Sequence, residues 1–274
     1  MIDWTRGYEC QWRFSTVDLV TWASKTVING VSSATYSADS STDAIETSTL
    51  SRRGSYTERP IEGWVRIEGT VTQGSDSELV TVGTTLLTAE TSSWAGGTRS
   101  DSMRGVSVLQ PASEADPLAD GAWAAKGSDA AARVAALIGG CTPAPIVVHG
   151  APQLPDTVVF DLESKPLAAA KVLLDATKWI ARPDGTGRIH IMQIPDKPSA
   201  YFGAGERGLF LSTASSDSNK RITYTRSWWP GLRVWDMFTA NLPEIGLAGT
   251  FRVYSQRVKC DTRILVEETV EEVS

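Results

Sequence analysis

The residues that could do chemistry are few and scattered. The 274-residue chain has two histidines, His149 and His190, and three cysteines, Cys10, Cys141 and Cys260. His149 ends Val147-Val148-His149-Gly150 ahead of a proline-rich turn, and His190 alternates within Ile189-His190-Ile191. Each reads as a surface or half-buried structural residue and not as a base or ligand. No H-E-x-x-H, C-x-x-C or G-x-S-x-G is present. A Ser-His-Asp triad needs only to meet in space, but with many serines and two histidines chance alone supplies its members. The cysteines are odd in number and far apart, which argues against a disulfide framework or a zinc site. No catalytic residue, cofactor or metal is expected.

Other patterns invite a functional reading and are better explained structurally. Gly203-Ala204-Gly205-Glu206-Arg207-Gly208 matches G-x-G-x-x-G. A dinucleotide fold needs that motif between a buried strand and a helix. Here Pro195, Pro198 and Ser199 precede it and Leu209-Phe210-Leu211 follows, so it reads as a flexible connection ahead of a strand. Asp39, Asp43 and Glu46 offer paired carboxylates of the glycosidase kind, but they lie in a Ser/Thr-rich stretch that reads as an edge strand and exposed loop. Trp228-Trp229 is the sharpest pair among ten tryptophans. It would suit stacking on a sugar, although tryptophan more often anchors cores and protein interfaces. The acidic run Glu267, Glu268, Glu271 and Glu272 reads as a solvated strand face or tail, with an acidic lining that repels DNA as the sharper alternative.

The elements that must carry these residues fall into three textures. The region up to about Leu109 is rich in Ser, Thr, Val, Trp and Tyr and alternates with period two. Trp64, Arg66 and Glu68 fall on one face and Val65 with Ile67 on the other, so one face is expected to be wet. Asn29-Gly30 and Gly96-Gly97 are turn signals. Many short strands with frequent turns point to a barrel or sandwich. From about Lys126 to Ala200, Ser128-Asp129 caps an alanine-rich helix that stops at Gly139-Gly140. A second helix over about 165–178 has Ser164 as cap and Leu167, Ala170 and Leu174 as its apolar stripe. A hairpin turning at Asp184-Gly185 follows. Strands return over Arg221–Thr225, Thr250–Ser255 and Arg263–Val266. The fold class is mainly β with an α+β insert: two β-barrel-like domains, 1–125 and 201–274, flanking an insert at 126–200.

Bulk composition bounds the partners. At 41% hydrophobic the chain can bury a core. A net charge of −6 argues against specific nucleic-acid binding, which needs a basic stripe. No apolar run reaches the ~20 residues of a membrane helix, and the first residues lack a signal-peptide pattern, so synthesis in a bacterial host cytoplasm is expected.

The order of the local motifs carries a resemblance. Trp12-Arg13-Phe14, Val27-Ile28-Asn29-Gly30-Val31, Tyr36-Ser37-Ala38-Asp39 and Ile45-Glu46-Thr47-Ser48-Thr49-Leu50 succeed one another. The alanine-rich helix, the Pro143–Leu162 extended segment, the Leu167–Trp179 helix and Trp179-Ile180-Ala181-Arg182-Pro183-Asp184-Gly185 follow, then the exit Ile194-Pro195-Asp196-Lys197-Pro198. Last come Trp229-Pro230-Gly231-Leu232-Arg233-Val234 and Gly246-Leu247-Ala248-Gly249-Thr250-Phe251-Arg252-Val253. This succession resembles the hub proteins of bacteriophage tail tips and baseplates, in phages and prophages. The resemblance implies a structural virion protein without catalytic residues. It implies a homotrimer whose paired barrels ring the tail axis and join the tube to the tip during assembly and DNA passage. The implied partners are the distal tail or tube protein, the tape measure and the tip or spike protein. A carbohydrate-binding module using exposed tryptophans is the alternative.

Overall fold

The computed structural model describes residues 1–42, 45–54, 63–95, 98–119, 122–161, 163–212, 215–216 and 221–273. Alternating β-branched and polar residues build the first stretch as β1 (Glu9–Val17), β2 (Ser24–Val27), β3 (Val31–Asp39), β4 (Glu46–Gly54), β5 (Gly63–Gln73), β6 (Asp76–Ala95) and β7 (Thr98–Val106). Three helices then alternate with short strands: α1 (Gln110–Glu114), β8 (Trp123–Ala124), α2 (Ala130–Gly139), β9 (Ile146–Val148), β10 (Val158–Val159), α3 (Pro166–Thr177), β11 (Trp179–Pro183) and β12 (Ile189–Gln193). The remainder is β13 (Pro198–Phe202), β14 (Ser215–Ser216), β15 (Arg221–Ser227), β16 (Met237–Leu242), β17 (Leu247–Cys260) and β18 (Ile264–Glu272).

The mainly β architecture with α+β elements between the strand regions is as expected. Closure into barrels is not seen. One 13-stranded sheet takes strands from both ends of the chain, in the open order β14-β15-β18-β17-β3-β4-β7-β6-β5-β1-β2, with β16 pairing β17 and β13 pairing β16. The seam is the antiparallel pairing of β17 with β3, from Ser255 opposite Asp39 to Cys260 opposite Ala34. Both strands alternate, so each supplies a buried face and a free ladder edge. Asn29-Gly30 lies in an irregular link between β2 and β3 and is not a hairpin turn, because β2 pairs with β1 and β3 with β4. Gly30 has φ +76, and a Cβ there would sit 2.2 Å from the Arg53 carbonyl oxygen, so only glycine fits. The Gly96-Gly97 turn signal lies outside the described residues.

The helices start as their sequences dictate. Asp129 Oδ1 accepts the Ala132 amide at 3.1 Å, capping α2. In α3 the cap position is Lys165, one residue later than Ser164, and Pro166 opens the first turn. Leu167, Ala170 and Leu174 are buried as a stripe. Lys178 closes α3 in the left-handed region at φ 58, and β11 leaves at once into an antiparallel hairpin with β12, which pairs in parallel with β9.

The expectation of a wet face on β5 fails. Trp64, Val65, Arg66, Ile67 and Glu68 are all buried. The polar face is covered by the tip of the β11–β12 hairpin and by the segment around Trp22. Arg66 Nη2 donates to the carbonyls of Trp22 and Thr186, both at 2.8 Å, and Ser24 Oγ donates to Glu68. Period two reports only alternation. It cannot tell a solvated polar face from one satisfied by another segment.

Candidate functional site

The hairpin tip Asp184–Gly187 is where the three textures of the chain meet. Gly185 approaches β6 so closely that a Cβ would lie 2.1 Å from the Thr81 carbonyl oxygen. Thr84 Oγ1 donates to the Gly185 carbonyl at 3.1 Å, and Trp22 Nε1 to the Thr186 carbonyl at 2.8 Å. From the C-terminal region Arg233 donates to the carbonyls of Thr81 and Val82. Arg182 on β11 pairs with Asp236 at 2.7 Å. Asp184 holds the turn by accepting from the Thr186 amide and hydroxyl and the Arg188 amide. Burial pushes its carboxyl up, but these bonds and His190 outweigh burial and hold it below its ordinary range.

Both histidines lie together beside this turn. His190 Nε2 is 3.1 Å from Asp184 Oδ2, and His190 Nδ1 is 2.8 Å from His149 Nε2. The rings stack with centroids 5.1 Å apart. The carboxylate only accepts, so His190 Nε2 donates to it, and in a neutral His190 ring Nδ1 is the acceptor facing His149 Nε2. The Asp-His-His order is that of a proton relay, yet among the described residues no serine, threonine or cysteine hydrogen-bonds to either imidazole. What the relay demonstrably does is tie the end of β9 to β12, alongside the bond from the His149 amide to the Ile191 carbonyl. The sequence placed both residues as structural, and nothing in their spacing foretold that they touch.

Two carboxylates read as exposed are buried. Glu46 stands at the start of β4 and accepts a short hydrogen bond from the Tyr36 hydroxyl on β3. Its Oε2 has no partner among the described residues. Burial raises its carboxyl to about 7, against smaller opposing effects of the Tyr36 bond and the Arg233 charge. Asp39 is half-buried and caps the following turn, accepting from the Ser41 amide and hydroxyl; Asp43 lies outside the described residues. Glu268 departs from its acidic run in the same way. Alternation along β18 turns Glu267 and Glu271 outward and Glu268 inward, between Val266 and Val270; Glu272, of the same parity as Glu268, is exposed at the end of the strand. There it takes a bidentate bond from Arg226 (3.0 and 2.6 Å), one from Gln256 at 2.6 Å, and a short one from Tyr224. The signal was the pattern Val266-x-Glu268-x-Val270.

The tryptophan pair is not a sugar platform. Trp228 is buried, and Trp229 packs edge-on against Phe202 with centroids 5.3 Å apart. Among the residues whose side chains are described, the exposed indole is Trp123 instead. The G-x-G-x-x-G segment is a 3-10 helix, Ala204–Leu209, following β13, and Glu206 Oε2 accepts the Gly203 amide at 2.9 Å. The connection therefore takes up regular backbone structure. The three cysteines are free thiols, and burial pushes Cys10 up to about 11. Among the described residues no helix is long and apolar enough to cross a membrane.

No protein-family model and no curated protein sequence matches the chain. Solved structures do. The 43 kDa tail protein of prophage MuSo2 from Shewanella oneidensis superposes with a TM-score of 0.66 at 10% identity, over 95% of this chain and 98% of that one. A tail protein from Neisseria meningitidis MC58 gives 0.64 at 11%, over 97% of each chain. The E. coli c3393 protein, a type VI secretion component described as similar to the T4 tail proteins gp27 and gp5, gives 0.59 at 8%, over 90% of this chain and 75% of that one. These are similarities of shape with almost no shared sequence, and they run nearly end to end: the chain has the fold of phage and prophage tail proteins.

Proposed function

We propose that the chain is a structural, non-enzymatic hub of a phage or prophage tail tip, a ring component that joins the tail tube to the tip during assembly and DNA passage. The observation that carries this reading is the end-to-end superposition on prophage tail proteins. The ring is a homotrimer in this reading, and the chain divides into β domains at 1–125 and 201–274 with an insert at 126–200. Support comes from the sheet, whose strand path ends openly at β2 and β14. Unpaired strand edges are templates for another chain, and a head-to-tail contact that rotates to closure makes a ring. The outward carboxylates of β18 and the net charge of −6 suit a surface that lets DNA pass without gripping it.

The test is made in the assembled particle. A tagged chain is expected at the tail tip by immuno-electron microscopy, and deletion of its gene is expected to arrest tail assembly. Label spread along the tube, or infectious particles of normal morphology after the deletion, would sink the reading. Burial of Trp228 removes the residue on which the carbohydrate-binding alternative leaned.

A further inference from the structure

A groove of about 430 Å³ runs between the first half of β1 and the link from β2 to β3, lined by residues 11–14, 27–31 and Thr70. The ladder is interrupted there. β1 pairs regularly with β5, from Glu9 opposite Thr72 to Thr16 opposite Val65, but its register with β2 covers only Ser15 to Val17. Peptide groups alternate between the two edges of a strand. The Ile28 amide donates to the Phe14 carbonyl at 2.7 Å and the Cys10 amide to the Thr262 carbonyl at 3.1 Å, so the even-numbered residues of β1 turn these groups away from β5. Trp12 lies between them in the same phase. Its main-chain N–H and C=O face the groove and have no partner among the described residues. The far wall is open as well, because the pairing of β3 with β17 ends at Ala34 opposite Cys260 and leaves Val31 without a neighbour on that side. Arg13 is a second, independent feature. It is exposed on the groove wall and is the one titratable residue of the described lining. Its Nε donates to Ser15 Oγ at 3.2 Å, and its terminal nitrogens have no partner among the described residues. Glu68, opposite Arg13 on β5, is buried and held by Ser24.

We infer that this groove is a strand-addition site for an extended, carboxylate-bearing segment of a different polypeptide. Unpaired main-chain donors and acceptors on a sheet edge give strand addition its affinity, and the side chains beside them set the choice of peptide. From Cys10 to Phe14 the strand advances about 13 Å, which admits three or four extended residues. Trp12 supplies one donor and one acceptor, and Arg13 supplies the counter-charge for an acidic side chain. A second copy of the chain does not fit this chemistry. Among the described residues the strands paired on one side only are β2, β8, β9, β10, β11, β13 and β14, and none of them contains Asp or Glu. The acidic strand β18 is paired on both sides, with β15 and β17. That the segment belongs to another tail component rests on the hub reading; strand addition at Trp12 does not.

The experiment uses the full chain, with the capped peptide N-acetyl-Thr-Val-Glu-Val-Thr-amide as the probe. Binding is followed by NMR on the Trp12 main-chain amide. The peptide is expected to bind saturably at millimolar concentration, to move the Trp12 N–H signal downfield and to slow its hydrogen exchange. No saturable binding, or binding that leaves that signal unmoved, overturns the site. Two analogues N-methylated on alternate residues keep every side chain and differ in which edge is blocked. One of them is expected to lose binding, and equal binding of both with the parent overturns strand addition. Arg13→Glu is expected to weaken the peptide about tenfold and to bind the analogue with Lys in place of Glu more tightly than the wild type does. An unchanged order of the two peptides overturns the choice of an acidic segment. Asn29→Trp, at an exposed position of the far wall, is expected to abolish binding and keep the thermal midpoint; Val27→Trp stands in if that variant does not fold. Sedimentation separates the sources. Equal self-association of wild type and the filled variant supports a different polypeptide, and loss of self-association on filling assigns the groove to a second copy and overturns that choice. The titration is made on the isolated chain, so its failure is distinct from a failure of the hub reading in particles.

Discussion

Each β region of the chain buries a tyrosine–glutamate pair across adjacent antiparallel strands, Tyr36–Glu46 between β3 and β4 and Tyr224–Glu268 between β15 and β18. The tyrosine bond is common to both, and the surroundings differ. Glu268 also receives Arg226 and Gln256. Around Glu46 the cation that lowers its carboxyl is Arg233, whose guanidinium is spent on the Thr81 and Val82 carbonyls, and one carboxylate oxygen has no partner among the described residues. A buried carboxylate is tolerated as a charge only when counter-charge and hydrogen bonds replace the water it lost. The C-terminal site meets that condition. The N-terminal site does not, and Glu46 responds by holding its proton up to about 7. The same residue pair is thus tied into a hydrogen-bonded ion-pair network in one region and left as a titrating group in the other.

Removing Arg226 should erase the difference at the largest energetic cost. Arg226→Met leaves Glu268 as a buried charge with only Gln256 and Tyr224, and breaking a buried ion pair from one side costs about 3–5 kcal/mol. Urea unfolding at pH 7 measures it. A loss well below that range would show that the Arg226–Glu268 pair contributes little beyond packing.

Glu46→Gln should act with the opposite sign. The folded state keeps the Glu46 proton up to about 7, while an unfolded carboxyl releases it near 4.5. The group's contribution is therefore fully present below 4.5 and lost as the pH rises through 7. An amide carries no such loss, so the variant should gain about 3 kcal/mol over wild type at pH 8 and about nothing at pH 4. Parallel stability curves for the two proteins between those pH values would refute the assignment.

The two tyrosines sharpen the comparison at lower cost. Tyr224→Phe removes a hydrogen bond to a charged acceptor and should cost about 1.5–3 kcal/mol. Tyr36→Phe at pH 5, with Glu46 neutral, should cost about 1 kcal/mol. Equal losses at that pH would mean that the Arg226 and Gln256 bonds to Glu268 do not strengthen its tyrosine bond.

Most of the architecture was legible from the sequence because period two and helix caps are local. α2 with its Asp129 cap, the Leu167–Ala170–Leu174 stripe and the β11–β12 hairpin all follow from neighbours in the chain. What was illegible is what depends on contacts far apart in sequence. The polar face of β5 is dry because Thr186 lies over it, 120 residues from Arg66. Glu46 sits in a stretch whose composition says exposed loop, and only the path of β3 and β4 beneath Arg233 and the hairpin tip buries it. Glu268 was legible in principle, since its valine neighbours share its face, but an acidic run hides the one member that turns inward. Barrel closure was overestimated because turn frequency counts strands and does not fix which edges meet.

The smallest effect tests whether the hairpin tip tunes Glu46. Asp184 lies close enough for its negative charge to raise the Glu46 carboxyl, and Arg233 close enough to lower it. Asp184→Asn keeps the shape of the turn residue and removes the charge. It should lower the midpoint of the Glu46-dependent fall in stability by a fraction of a pH unit and leave Glu268 untouched. Arg233→Met should move that midpoint upward. The midpoint is the informative quantity, because either variant also changes hydrogen bonds that affect stability at every pH, His190 to Asp184 Oδ2 and Arg233 to β6. Midpoints that stay fixed in both variants would place the origin of the Glu46 shift in burial alone and detach the hairpin tip from the titration.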